Sequence, residues 1–285
     1  MTAAHVVDYL CNAFTPDRVP IWKEATASLA LKIRDAEFTE PDEMVARMDE
    51  LGIDTVLLPS VDIIAGERPA PTTFEAVATT WPDVERLVQR WPQRFAALAV
   101  LDPSSGVAGV RETRARLREP WVAGCYLHTH SWDRPFDHAD FYPYYALAAD
   151  VDVPVAMQAG ASGGMTPSGC GRPIGIDRPA LYFSDTRFLL SHTGWPWVDE
   201  AIAMARKFPN VFIGTASYPP RHWPAPLVDF VRGAGRDKTI FGTNFPTVGH
   251  RQALEQLPEL GLDPVVTDAL VGSNARRVFA RLRTT

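Results

Sequence analysis

Eight short apolar runs alternate with longer amphipathic segments along the chain, and this alternation limits the fold more than any other feature of the sequence. It is typical of a parallel sheet whose strands are connected by helices. The runs are almost continuously apolar, as strands buried on both faces should be. The predicted strands are His5 to Leu10, Asp54 to Pro59, Phe95 to Leu101, Val122 to His128, Pro154 to Gln158, Phe188 to His192, Val211 to Thr215 and Thr239 to Thr243.

Helical patterns separate most of these strands. The predicted helices are Thr39 to Leu51, Trp81 to Trp91, Gly106 to Leu117, Ala139 to Val151, Trp197 to Phe208, Pro224 to Gly233 and Gln252 to Leu260. Eight strand–helix units within 285 residues predict an α/β fold, a single (β/α)8 TIM barrel domain that spans residues 1–285. A doubly wound open sheet is the alternative, but no glycine-rich phosphate loop follows the first strand.

Two connections are longer than ordinary loops. Thr15 to Phe38 follows the first strand, and Ala161 to Thr186 follows the fifth. Both should leave the barrel at its C-terminal face, where active sites of this fold are built. The second is rich in Gly, Pro and Ser, which predicts a loop or lid over a site, or a solvated surface excursion.

The composition narrows the class of protein. No run of about 18 apolar residues appears, and the N-terminus has no signal-peptide pattern, so we expect a cytoplasmic protein with no membrane contact. The net charge of -6 argues against nucleic acid as a partner, because nucleic-acid binding normally requires a basic surface. The 3 cysteines are widely spaced and support neither a disulfide framework nor a metal clip.

Three phrases carry a family resemblance: LLSHTGWPWVDEAIAMARKFPNVFIGTASY, GRDKTIFGTNFP and GSNARRVF. They resemble the amidohydrolase-related family 2 proteins, relatives of the aminocarboxymuconate-semialdehyde decarboxylases. The match runs in order over most of the chain and is most specific from Phe188 to Phe279. The resemblance implies a TIM barrel that acts on a small molecule, and barrels of this family are often dimeric, which leaves a homodimer open.

The family usually binds a divalent metal, but this chain departs from its ligand pattern. The resemblance places Leu10 and Asn12 at the HxH motif of strand one, Gln158 at the strand-five histidine and Asn244 at the strand-eight aspartate. Only His192, on strand six, keeps its ligand type. Leucine cannot bind a metal and neutral amides bind transition metals weakly, so we expect no metal and no other cofactor.

A relocated metal site is one alternative. His128 and His130 leave strand four with a spacing of two, which can put both side chains on one face, and His192 could join them. The same histidines could instead bind substrate or brace the barrel.

Without a metal, the chemistry requires a positioned proton-transfer group, and histidine has the suitable pKa. His192 is the first catalytic candidate, with His128 as a second, although His192 could also be structural. Asn12, Gln158 and Asn244 could hold a carboxylate, carbonyl or enolate through hydrogen bonds, with Asn244 in a catalytic role. These amides could also satisfy one another.

Other side chains are weaker candidates for substrate binding. Arg172 could clamp an anion with two hydrogen bonds, or it could be an exposed loop residue. Tyr218 and Trp195 follow strands seven and six and could form an aromatic mouth. Asp8 matches an acidic residue that often precedes the family's HxH motif, and it could be structural.

Three functions therefore stay open. The first is a metal-independent lyase or decarboxylase that acts on a small carboxylated or carbonyl substrate. The second is a lactone or amide hydrolase, either metal-free or with the relocated metal. The third is a non-catalytic relative that binds a small ligand.

Overall fold

A computed structural model describes residues 5–12, 19–20, 23–24, 39–60, 79–163 and 166–283. The eight predicted strands are confirmed: they form one parallel sheet in which each strand pairs with the next along the chain. The strands are β1 Val6–Asp8, β2 Ile53–Pro59, β3 Phe95–Val100, β4 Val122–Leu127, β5 Val155–Gln158, β6 Phe188–Ser191, β7 Val211–Gly214 and β8 Thr239–Ile240.

Helices follow the strands and pack around the sheet. They are α1 Pro41–Leu51, α2 Trp81–Arg90, α3 Gly106–Arg116, α4 Thr129–Trp132, α5 Tyr142–Asp150, α6 Asp177–Tyr182, α7 Val198–Lys207, α8 Ala225–Arg232, α9 His250–Gln256, α10 Pro264–Asp268 and α11 Asn274–Val278. Each of the seven predicted helices is present. Two of them include 3-10 turns, Ala139–Phe141 before α5 and Leu257–Leu260 after α9.

Hydrogen bonds between the first and last strand regions close the sheet into a barrel. Cys11 and Phe245 form a parallel bridge, and the backbone N–H of Asn244 donates to the Leu10 carbonyl at 2.8 Å. β8 is shorter than predicted because the Thr243 amide donates to the Asp8 carboxylate at 3.0 Å instead of joining a backbone ladder. The same carboxylate accepts from the Leu10 amide at 3.0 Å, which ends β1 early as well.

The barrel interior has one large side chain that two glycines accommodate. Tyr9 is fully buried and lies across β7 and the residues after β8. A Cβ atom on Gly214 would lie 2.3 Å from the Tyr9 hydroxyl, and one on Gly242 would lie 2.4 Å from its ring. Because both residues are glycine, the Tyr9 side chain can cross the barrel interior directly below the C-terminal face.

The segment Ala161 to Thr186 differs from the predicted loop or lid. It contains 3-10 turns and the helix α6, whose residues Pro179 and Ala180 are buried. Proline is tolerated in the first turn of a helix, so Pro179 does not prevent the crossover helix that the barrel needs. The segment Thr15 to Phe38 lies outside the described residues except for positions 19–20 and 23–24.

No helix in the described ranges is long and apolar enough to cross a membrane. That residues 1–285 form one domain stays a prediction from the sequence.

Candidate active site

The predicted amides of the first and last strands contact each other at the barrel seam. Asn12 Nδ2 donates to Asn244 Oδ1 at 3.2 Å and to the Phe245 carbonyl at 2.8 Å. Asn244 Nδ2 donates in turn to Ser217 Oγ at 2.8 Å. Asn244 has a φ of 54°, a left-handed conformation that asparagine tolerates better than most residues. The two amides are therefore paired with each other, which is one of the outcomes that the sequence left open.

His192 lies at the end of β6 on a strained backbone. Its φ is 59° and that of Thr193 is 56°, and such left-handed residues cluster at functional sites. The His192 Nδ1 atom is 2.8 Å from Ser191 Oγ. Burial of the ring, and next the nearby His130, lower the pKa of His192 to about 3. The imidazole is therefore neutral at pH 7.

His128 and His130 lie side by side after β4, with ring centroids 5.9 Å apart. The His128 Nδ1 atom is 2.5 Å from Ser131 Oγ. His130 Nε2 is 3.0 Å from the Gly160 carbonyl, which can only accept, so Nε2 carries the proton. The buried His130 Nδ1 atom has no hydrogen-bond partner among the described residues, and burial lowers the pKa of this ring. Substrate binding by these two histidines stays a prediction.

Gln158 ends β5 beside the β6 histidine. It pairs in register with Ser191, and its Oε1 atom accepts from the Tyr126 hydroxyl at 3.2 Å. Burial raises the pKa of Tyr126 strongly, so the phenol stays protonated as a donor. Gln158 and His192 are therefore neighbours, whereas no hydrogen bond within the described ranges joins them to the Asn12 and Asn244 pair. A single shared cavity for all four stays a prediction.

The weaker candidates lie nearer the surface. Arg172 forms an ion pair with Glu200 and lies over the Trp197 ring at 5.6 Å, at an exposed position. Binding of an anion by Arg172 stays a prediction. Trp195 and Tyr218 do contact each other, with ring centroids 5.8 Å apart. Trp195 is 47% exposed, which is compatible with the predicted aromatic mouth.

Asp8 and His250 form a buried network behind the site. The Asp8 carboxylate lies 3.0 Å from His250 Nε2, in addition to its bonds with the Leu10 and Thr243 amides. The His250 ring stacks on Phe245 with centroids 4.7 Å apart. Both side chains are fully buried, and the Asp8 carboxylate fixes the ends of β1 and β8, the structural role considered for it.

The sequence did not identify Tyr9, Tyr126, Ser191 and Ser217 as partners of the predicted residues. A signal was present for two of them. Tyr126 precedes His128 by two positions and therefore lies on the same strand face, and Ser191 precedes His192 directly. Nothing in the sequence indicated that Tyr9, 182 positions before Ser191, would contact it.

The side chains at the family's ligand positions do not fit a divalent metal. Leu10 has no donor atom, the Asn12 and Asn244 amides bond to each other, and Gln158 Oε1 accepts from Tyr126. His192 is the remaining imidazole at these positions, and a single imidazole ligand does not make a metal site. The part of the chain that the structure describes contains no group of three or more His, Cys, Asp or Glu that could hold a metal, which also gives the relocated site no support.

Comparison with known proteins identifies the family. The Amidohydro_2 family model, described as amidohydrolase, matches residues 29–281. No curated protein matches the chain. Among solved structures, an uncharacterized TIM-barrel protein from Bordetella bronchiseptica has 22% identity and a TM-score of 0.79, with 98% of this chain and 99% of that chain covered.

Two further solved structures are decarboxylases. The 5-carboxyvanillate decarboxylase of Novosphingobium aromaticivorans, solved with manganese and 3-methoxy-4-hydroxy-5-nitrobenzoic acid, has 16% identity and a TM-score of 0.70 over 98% of this chain and 97% of that chain. The dihydroxybenzoic acid decarboxylase of Polaromonas sp. JS666, solved with manganese and 2-nitroresorcinol, has 17% identity and a TM-score of 0.69 over 97% of each chain. The chain therefore belongs to the amidohydrolase family, and it is an enzyme of that superfamily built on a TIM barrel.

Proposed function

We propose that this protein is a metal-independent decarboxylase of small carboxylates whose carboxyl group is attached beside a carbonyl, enol or phenol. The observation that carries the proposal is the neutral, desolvated His192 at the end of β6, with amide and hydroxyl groups on the neighbouring strands. An adjacent carbonyl or phenol matters because it accepts the electron pair that the departing CO2 leaves behind.

Loss of CO2 from a carboxylate consumes one proton, and His192 is the group that we propose supplies it. In the free protein the ring is neutral because burial disfavours the imidazolium. A bound carboxylate would bring a negative charge against the ring and raise its pKa, so that the complex takes up a proton from solvent. The carbon–carbon bond then breaks, the His192 proton forms the new C–H bond, CO2 leaves and the ring returns to its neutral form.

The amides and the aromatic side chains would bind the rest of the substrate. Asn12, Gln158 and Asn244 are neutral hydrogen-bonding groups at the ends of three strands, suited to oxygen atoms that gain charge during the reaction. Trp195 and Tyr218 would flank a planar ring. The two decarboxylases named above are named for 5-carboxyvanillate and dihydroxybenzoic acid, and we therefore propose a hydroxybenzoate or a similarly planar hydroxy acid as the substrate class.

A panel of hydroxybenzoates tests the proposal. Protein purified and dialysed against chelator is incubated with 5-carboxyvanillate, 2,6-dihydroxybenzoate and related acids, and product formation is followed by chromatography. We expect turnover of at least one acid and a decrease of about 100-fold or more in His192→Asn, the range for loss of a general acid. Lys207→Ala, which removes a surface ion pair with Asp177, is the matched control and should keep the wild-type rate.

Three results would contradict the proposal. They are turnover that appears only after manganese or zinc is added, an unchanged rate in His192→Asn, and no conversion of any acid in the panel under either condition. The first of these would refute metal independence alone and would leave decarboxylation standing.

A non-catalytic ligand-binding protein is the second candidate, and the pairing of Asn12, Asn244 and Ser217 with one another favours it. Thermal-shift screening with the same acids, followed by recovery of the ligand, distinguishes the two functions. A ligand that raises the melting temperature but is recovered unchanged supports this candidate. Hydrolysis is less favoured, because a histidine with a pKa of about 3 is a weak base for activating water.

The homodimer, the cytoplasmic location and the absence of nucleic-acid binding stay predictions. Size-exclusion chromatography with light scattering tests the first of them.

A further inference from the structure

We infer that Tyr9 and Ser191 are positioning residues that hold His192 in the neutral tautomer with its proton on Nε2. The three side chains form a continuous hydrogen-bonded chain that runs from the barrel interior to the C-terminal end of β6. Tyr9 Oη is 2.5 Å from Ser191 Oγ, and Ser191 Oγ is 2.8 Å from His192 Nδ1. The inference rests on the proposed function only in taking a substrate oxygen as the acceptor for Nε2.

The direction of the hydrogen bonds is set at Tyr9. Its hydroxyl is fully buried, and the overall effect of burial is to raise the pKa of the phenol well above its usual range, so the oxygen keeps its proton. Among the described residues, the hydrogen-bond partner of this hydroxyl is Ser191 Oγ. Because a buried donor that is left unpaired is costly, the Tyr9 proton is directed to Ser191.

Ser191 passes this direction on to the histidine. Its hydroxyl has one proton and is completely buried between the phenol and the imidazole. Since Ser191 Oγ accepts from Tyr9, its proton is free to donate to His192 Nδ1. A neutral imidazole that accepts at Nδ1 carries its proton at Nε2. The orientation of a buried tyrosine thus determines which nitrogen of His192 is a donor.

The consequence is a donor at the position where a substrate would bind. His192 Nε2 has no hydrogen-bond partner in the part of the chain that the structure describes, and the residue retains 7% exposure. An N–H group there favours substrates that present a carboxylate, carbonyl or other oxygen acceptor.

Nitrogen-15 NMR of histidine-labelled, ligand-free protein tests the inference without any substrate. The two ring nitrogens of neutral histidine have distinct chemical shifts, and His192→Asn identifies the signals of residue 192. We expect a protonated Nε2 and an unprotonated Nδ1 in wild type at pH 7. Ser191→Ala removes the donor to Nδ1, and Tyr9→Phe removes the group that orients Ser191. Each should shift the tautomer ratio toward Nδ1–H by about tenfold, the effect of one typical hydrogen bond.

Ser217→Ala is the matched control, since it removes a half-buried hydroxyl that contacts Asn244 and not His192. Its tautomer ratio should equal that of wild type. A wild-type signal with the proton on Nδ1, or a ratio that is the same in wild type, Ser191→Ala and Tyr9→Phe, would overturn the inference. Neither result depends on turnover, so failure of the proposed decarboxylation remains distinguishable from failure of the tautomer assignment.

Discussion

Replacement of His192 by asparagine should change how the stability of the protein depends on pH. His192 is buried, and its pKa of about 3 lies well below the usual value of 6.5. As the pH falls below 6.5, the unfolded chain binds a proton at this residue while the folded protein does not. The free energy of unfolding therefore falls with pH in this window, and the contribution is fully retained only above pH 6.5.

The loss of unfolding free energy can be calculated from the proton that the unfolded chain binds at His192 and the folded protein does not. Each pH unit below the unfolded pKa costs about 1.4 kcal/mol, so wild type should lose about 2 kcal/mol between pH 7 and pH 5 through this residue alone. His192→Asn removes the titrating group and tolerates the left-handed backbone at this position, where φ is 59°. The difference in unfolding free energy between wild type and variant should therefore shift by about 2 kcal/mol in favour of the variant at pH 5.

Urea unfolding of both proteins at pH 7 and pH 5 measures this difference. Ser217→Ala is the control, because it alters a neutral hydroxyl and should differ from wild type by the same amount at both pH values. A difference between wild type and His192→Asn that does not change with pH would refute the reasoning. It would mean that the ring takes up its proton as readily in the folded protein as in the unfolded chain.

Further expectations concern the barrel seam, the interior and the metal. Asp8→Asn should lower the unfolding free energy by about 3 kcal/mol in thermal or urea unfolding, because it removes a buried carboxylate that accepts from the Leu10 and Thr243 backbone N–H groups and lies against His250. Gly242→Ala should lower the unfolding free energy by about 1–3 kcal/mol, because the new Cβ would clash with Tyr9. Adding Tyr9→Leu to this variant should make the loss smaller. Gly169→Ala is the control: its Cβ would meet nothing within 4 Å in the described chain, so its unfolding free energy should stay near that of wild type. Elemental analysis of protein purified without chelator should find less than one transition metal per chain, and chelator dialysis should leave the melting temperature unchanged.

Much of the fold was predictable because a barrel strand is a local pattern. Each strand that is buried on both faces is a short, almost continuously apolar run in the sequence, and these runs predicted all eight strands. The end of β8 was not predictable, since it depends on the Asp8 carboxylate, which accepts from the Thr243 amide 235 positions away. The helix α6 was missed because its six residues follow a Gly- and Pro-rich segment that gives no helical period.

For the candidate site, too, some features were predictable from the sequence and others depend on packing. The sequence placed His192, Gln158 and Asn244 at strand ends. In the structure Gln158 is the last residue of β5 and His192 directly follows β6, whereas Asn244 lies beyond the end of the shortened β8. The partners of these residues depend on packing. The hydrogen bond from Asn12 to Asn244 joins the segments that follow the first and last strands, and Arg172 forms an ion pair with Glu200 on α7.

The sequence by itself determined the eight strands, which follow from residue type and local spacing. Its motifs also carried the family resemblance, which placed Leu10, Asn12, Gln158 and Asn244 at the family's metal-ligand positions. Tertiary structure alone decided the protonation and orientation of His192. The pKa of His192 depends on how completely its ring is removed from water. Its connection to Tyr9 through Ser191 depends on two glycines that let the tyrosine side chain cross the barrel. Desolvation and long-range hydrogen bonding arise only when distant segments pack together, so no local pattern could have revealed them.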